Sequence, residues 1–162
     1  MTPGEPLEIR RTDETDDPDW LTLRHAFIPE LEPAEHPGYL ARFAQASAAF
    51  TAFVAHDDDG RPMGFAEVSV RTDYVNGCSH RPALYLEGIY VDPSYRGRGV
   101  ARALCVAAEA WGWERGCREF ASDVYVDDED SLAAHAALGF EETETVVYFR
   151  RPIEPDPKPG RE

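Results

Sequence analysis

Leu84 to Arg115 reads LYLEGIYVDPSYRGRGVARALCVAAEAWGWER, and the punctuation of this stretch decides the fold. An apolar run of Leu84, Leu86, Ile89, Tyr90 and Val91 breaks at Asp92-Pro93 and passes through Arg96-Gly97-Arg98-Gly99. Apolar residues then resume at helical spacing with Val100, Leu104, Ala108 and Trp111. The pattern predicts a strand, a tight glycine loop and a helix. Two glycines let the loop approach a ligand closely, and the helix directs unpaired N–H groups and the positive end of its dipole at the same spot. Such a place binds an anion, most often a phosphate.

The better-known phosphate loops are absent, since there is no G-x-x-x-x-G-K-[ST] and no completed G-x-G-x-x-G. The segment after Tyr90-Val91 carries Arg96-x-x-Gly99-x-Ala101 instead. This resembles the pyrophosphate loop of the GCN5-related N-acetyltransferases, which bind acetyl-coenzyme A. Gly88 inside an apolar strand predicts a bulge or a close backbone approach, and in that family the central strand splays there to admit the pantetheine arm. The resemblance implies backbone bonds from Ile89, Tyr90 and Val91 to pantetheine. It also implies a pyrophosphate wrapped by Arg96, Gly97, Arg98, Gly99, Val100 and Ala101. Cations at a helix start oppose the dipole, a conflict that an anionic partner resolves and a merely solvated helix start does not.

The chain of 162 residues, 43% of them hydrophobic, suits one compact domain over 1–151 with a Pro-rich charged tail over 152–162. Its apolar runs are too short to span a bilayer, and Met1 to Asp19 lacks the order of a signal peptide, so a cytoplasmic location is expected. Cys78, Cys105 and Cys117 are odd in number and show no C-x-x-C spacing, which predicts reduced thiols and no metal site. The net charge of −15 excludes nucleic acid and anionic membrane as partners. It favours a cationic substrate, unless the acids are only solubilising surface.

In chain order, Leu7 to Arg11 is a weak first strand, and the acids from Asp13 to Asp19 cap a helix carrying Trp20, Leu21, Leu23, Arg24 and Phe27. A second helix starts near Pro33-Ala34-Glu35 and bears Tyr39, Leu40, Phe43 and Ala44. Ala49 to Ala55 and Met63 to Arg71 alternate as a hairpin, and Thr72 to Pro82 is a loop turning at Asn76-Gly77. After the central strand and helix come a strand Arg118–Val126, a short helix Asp130–Leu138 and a last strand Glu144–Arg151. This order predicts a mixed α/β sheet with flanking helices, in which strand 118–126 lies parallel to strand 84–91. In the family resembled here, those two strands part and the acetyl group lies in the wedge.

Asp128-x-x-Ser131-x-x-x-His135-x-x-x-Gly139-Phe140 has the spacing of the acetyltransferase pattern N-x-x-A-x-x-x-Y-x-x-x-G-F, with Asp, Ser and His replacing Asn, Ala and Tyr. The resemblance places Asp128 and Ser131 at the cofactor. It places His135 where a tyrosine often protonates the departing thiolate, and an imidazolium is a competent acid near neutral pH. A half-buried helix histidine is the other reading.

Longer words, LEGIYV (86–91), REFASD (118–123), YVNG (74–77) and the 142–149 stretch, closely resemble the aminoglycoside 6′-N-acetyltransferases. Asp19-Trp20-Leu21-x-Leu23-Arg24 fits the first helix of that branch, though Phe27-Ile28 stands where it usually has tryptophan. The resemblance implies Trp20, Tyr74, Glu87, Asp123, Glu142 and Glu144 around the sugar rings, with Asp123 at the reacting amine, and it implies a homodimer. Taken alone, Asp123 serves equally as the cap of the next loop. Glu87, mid-strand among apolar residues, is costly unless paired with an arginine or facing a cleft. Tyr148 is expected in the core. Acetyl transfer to another amine, a polyamine or peptide N-terminus, keeps everything from Leu84 to Ala101 and differs only in the acceptor walls. A non-catalytic acetyl-CoA sensor needs no acids at the wedge, and an acidic interaction protein needs no glycine loop.

Overall fold

The computed structural model describes residues 7–153 and 155. Strands β1 (Glu8–Thr12), β2 (Ala49–His56), β3 (Pro62–Arg71) and β4 (Ala83–Val91) form an antiparallel meander, and β5 (Phe120–Ala121) joins β4 in parallel. Helices α1 (Pro18–Phe27) and α2 (His36–Ala46) precede β2, α3 (Val100–Glu114) makes the crossover to β5, and α4 (Glu129–Ala137) comes last.

Alternation along β3 builds both layers of the core. Ala66, Val68 and Val70 meet Leu104, Ala108 and Trp111 of α3 on the back face. Phe65 points to the front, against Trp20, Leu23 and Leu40 of α1 and α2. The α1 start is fixed by Asp17, whose carboxylate accepts the N–H groups of Asp19 and Trp20, with Pro18 opening the helix. Arg10 of β1 donates to the same carboxylate at 2.5 Å and holds the Asp17 carboxyl down at about 2.

The irregularity expected at Gly88 is present. Glu67 faces Gly88 while Val68 faces Leu86, so Glu87 is the extra residue of a β-bulge. The parallel ladder between β4 and β5 holds only at Leu84–Phe120 and Tyr85–Ala121. Beyond Ala121 the chain leaves the sheet, and a wedge opens between the two strands.

Two expected strands are corrected by this geometry. Of Arg118–Val126, only Phe120–Ala121 pairs, because the ladder with β4 stops at Tyr85, just short of the bulge at Glu87. Glu144–Arg151 forms no strand, and Val147, Tyr148 and Phe149 are 75%, 87% and 93% exposed. Tyr148, expected in the core, lies outside it. β-Propensity marks residues that suit a ladder, but a strand exists only where another edge accepts its hydrogen bonds.

Cys78, Cys105 and Cys117 are free thiols. Among the described residues, no helix is long and apolar enough to cross a membrane. No cluster of His, Cys, Asp or Glu among them is placed to hold a metal ion. Residues 154 and 156–162 of the expected tail, and residues 1–6, lie outside the described residues.

Candidate active site

The glycine loop is built as an anion cradle. Asp92 accepts the Ser94 N–H at 2.9 Å and caps a single turn over Pro93–Tyr95. Gly97 and Gly99 then adopt φ of 77° and 78°, a region that strains any side chain. A Cβ at either position would meet nothing within 4 Å, so the space above the loop is open. Gly99 is the N-cap of α3 and supplies no side-chain bond, which leaves the first N–H groups of the helix to a ligand. Arg96 turns back so that its Nε donates to the Val91 carbonyl at 2.9 Å, and the Arg98 guanidinium stands over the Tyr95 ring. Open glycines, a bare helix end and two arginines fit the diphosphate of coenzyme A.

At the wedge, consecutive side chains point to opposite faces of the sheet. Asp123 turns to the front, where the Tyr85 hydroxyl donates to its Oδ1. The Arg71 guanidinium lies 3.3 Å from the Tyr85 ring centroid and grips both oxygens of Glu87 at 2.9 and 3.0 Å. Ser69 Oγ donates to Glu87 at 2.5 Å. Tyr85 and Arg71 thus link Asp123 and Glu87, the two acids singled out in the sequence. Burial first, and the Asp123 carboxylate second, push the Tyr85 phenol far above its ordinary range, so it stays a donor. The arginine anticipated for Glu87 is Arg71, and the same carboxylate also lines a cleft, so both readings of this acid hold together.

That cleft, of about 370 Å³, is lined by Phe43 and Ser47 from the end of α2, by Asp73 and Tyr74 from the loop after β3, and by Arg71 and Glu87. Tyr74 is exposed there. Thr143 packs against Gly77 and so brings the exposed Glu142 and Glu144 beside the loop that carries Tyr74.

Trp20 is a correction. It is 1% exposed, and its Nε1–H donates to Glu67 Oε1 at 2.9 Å, so it belongs to the core and not to the acceptor surface. Helical spacing turns Trp20 inward together with Leu23 and Arg24. The group it meets is not evident in the sequence. Arg24 Nε donates to Glu67 at 2.7 Å, and Arg24 Nη1 to His36 Nδ1 at 2.7 Å, all of it buried beneath the bulge. Burial pushes the Glu67 carboxyl up, against the pull of Arg24. Burial and then the Arg24 cation push the His36 imidazole down, which keeps it a neutral acceptor. The one signal for this group is a pair of opposite charges, Glu67 and Arg24, at inward positions of otherwise apolar patterns.

On the back face, Ser122 Oγ lies 2.8 Å from His135 Nε2, and His135 Nδ1 lies 2.7 Å from the Ser131 carbonyl. Phe140 packs beside the imidazole. Asp128 and Ser131 are joined at the α4 start, where Asp128 Oδ1 accepts the Ser131 N–H at 3.0 Å as the helix cap. Arg102 of α3 donates to the Ala137 carbonyl and ties α4 to the back layer.

This geometry has a counterpart in known proteins. The model of the Acetyltransferase (GNAT) family matches residues 19–140. The chain belongs to the GNAT acetyltransferase family. The acetyltransferase is 47% identical to the aminoglycoside N(6′)-acetyltransferase type 1 of Stenotrophomonas maltophilia, over 91% of this chain and 94% of that one. Its fold matches AAC(6′)-Iy in complex with a bisubstrate analog, CoA-S-monomethyl-acetylneamine, with a TM-score of 0.81 and 40% identity over 92% of this chain and 100% of that one. It matches AAC(6′)-Iy in complex with CoA with a TM-score of 0.83 and 40% identity, over 94% and 99% of the two chains.

Proposed function

We propose that this acetyltransferase moves the acetyl group of acetyl-CoA to the 6′-amine of an aminoglycoside antibiotic, by direct attack within a ternary complex. The observation that carries the reading is the pair Asp123 and Glu87, joined through Tyr85 and Arg71, with Glu87 on a cleft that Asp73 also lines. The names and complexes of relatives of about 40% identity support the same substrates. An aminoglycoside amine is mostly protonated at pH 7, so it needs a carboxylate to hold it and a base to free its lone pair. Asp123 has one oxygen held by Tyr85, and the other, which meets no hydrogen-bond partner among the described residues, faces the amine. Glu87, fixed by Arg71 and Ser69, holds a second amine or a water at the cleft. Tyr74, Glu142 and Glu144 line the approach of the sugar rings, and the excess of negative charge draws the polycation in.

Along the wedge-facing edge of β4, Ile89, Tyr90 and Val91 offer backbone groups to the pantetheine arm, and the 96–101 loop holds the diphosphate. His135 supplies the proton that the departing thiolate requires. The reaction belongs in the cytoplasm, the reducing compartment that suits three free thiols. In that compartment it confers antibiotic resistance.

Thiol release with a panel of kanamycin, tobramycin, polyamines and peptide N-termini tests the assignment. Turnover with kanamycin or tobramycin is expected. Failure on every aminoglycoside with success on another amine reassigns the acceptor.

The exposed Val146-Val147-Tyr148-Phe149 segment carries a proposal about assembly. A β-forming run left open invites pairing, and a two-fold that exchanges this segment between copies covers it. Sedimentation at micromolar concentration should give a dimer, and a monomer contradicts the pairing.

A further inference from the structure

Building on the acetyl-transfer reading, we infer that Ser122 Oγ is the group that hands the proton to the departing sulfur, with His135 acting through it. Three observations converge. Ser122 is the first residue past the last β4–β5 pair, so it stands at the mouth of the wedge. It faces the back layer with α3 and α4, opposite the Asp123 side chain. Both nitrogens of His135 are engaged, one by a backbone carbonyl and the other by Ser122.

The carbonyl decides the tautomer. A carbonyl oxygen only accepts, so His135 Nδ1 carries a hydrogen and Nε2 is the atom that gains and loses one. In neutral histidine, Nε2 accepts the Ser122 O–H. In the imidazolium, Nε2–H donates to Ser122 Oγ and frees the hydroxyl hydrogen to turn toward the wedge. The same 2.8 Å contact therefore serves both protonation states without movement of a heavy atom. Such a base, oriented by a further group and bonded to a hydroxyl, is the arrangement that moves protons through serine.

The proton balance closes. The amine nitrogen forms its bond to the acetyl carbon, the C–S bond breaks, and its electron pair goes to sulfur. Sulfur takes the Ser122 hydroxyl hydrogen while Ser122 Oγ takes the Nε2 hydrogen of imidazolium. His135 regains a proton from solvent, and the nitrogen releases its two on the Asp123 face. The net products are amide, thiol and one proton in solution. Ser122 is the catalytic donor and His135 the residue that positions and recharges it.

The test compares acetyl-CoA with its selenoester analogue, whose selenol is far more acidic and departs without a proton. The amine is any that the panel above shows to be accepted, so a failed aminoglycoside assignment and a failed relay give different results. With acetyl-CoA, Ser122→Ala and His135→Gln should each lower kcat by roughly a hundredfold, the low end for general acid catalysis. The KM for acetyl-CoA should hold, and the double variant should be no slower than either single one. With the selenoester most of the loss should vanish. Ser122→Thr keeps the hydroxyl and should restore the rate with acetyl-CoA, which separates chemistry from folding. Equal losses with both donors would make the pair structural and overturn the relay. Near-normal turnover of Ser122→Ala beside a slow His135→Gln would place His135 directly on sulfur and overturn it too.

Discussion

Asp123→Asn should lower kcat by roughly a hundredfold or more while the melting curve and acetyl-CoA affinity stay normal. Asparagine keeps the oxygen that accepts the Tyr85 hydroxyl, so the front network retains its shape. What disappears is the negative charge that a cationic amine needs beside it, and the acceptor of its proton. If Asp123 were only the cap of the next loop, asparagine would serve nearly as well. The partner observed for its side chain is Tyr85 of the neighbouring strand, which favours the chemical role. Steady-state kinetics on kanamycin or tobramycin, monitored by thiol release, decide the matter. A variant within about threefold of wild type moves the role to Glu87 or to a water it orders.

Arg24→Met should destabilise the fold by about 3–5 kcal/mol at neutral pH, because it strips the counter-charge from a carboxylate sealed in the core. The Glu67 and Arg24 side chains are 6% and 5% exposed, so water cannot substitute for the lost partner. The sign of the pH dependence is set by Glu67. Burial raises its folded-state pKa above the ordinary 4.5, and removal of Arg24 raises it further. The folded variant then keeps a proton that the wild-type fold gives up, so the deficit grows as pH climbs through the raised Glu67 pKa of the wild type and levels off below it. Urea midpoints at pH 7 and pH 4 measure this directly. A deficit that is the same at both values shows Glu67 to be neutral in the native protein already. Adding Glu67→Leu should recover part of the loss at neutral pH.

The backbone of the glycine loop is legible in the sequence almost completely, because a glycine loop leading into a helix is a local arrangement. Gly97 and Gly99 occupy the backbone region that their residue type permits, and Gly88 sits at a bulge as its place in an apolar strand implies. Glu87 is legible as an acid out of place and Asp123 through its resemblance to the branch, but the two are not legible as partners. Their connection runs through Tyr85 and Arg71, which any strand might carry. Trp20 is misread from sequence, because helical spacing places it on an inward face without naming what waits there. The Glu67, Arg24 and His36 group is hinted at only by the opposite charges of Glu67 and Arg24 at inward positions, and it takes shape when α1 and α2 lie over β3. Glu144–Arg151 fails differently. Its composition is that of a strand, yet strand formation depends on an available edge, which local composition does not encode.

The cleft beside Glu87 divides labour between two kinds of scaffold. Its charged floor sits on β3 and β4, where the ladder fixes Arg71 and Glu87 against each other. Its outer walls come from the last turn of α2, with Phe43 and Ser47, and from the connection bearing Asp73 and Tyr74. On the proposed reading of this cleft as the acceptor site, substitution in those walls should change which amines fit and leave the acids in register. If this cleft is the acceptor site proposed above, drug spectrum and catalytic power are separable traits, because the walls can vary without disturbing the ladder that holds Arg71 and Glu87.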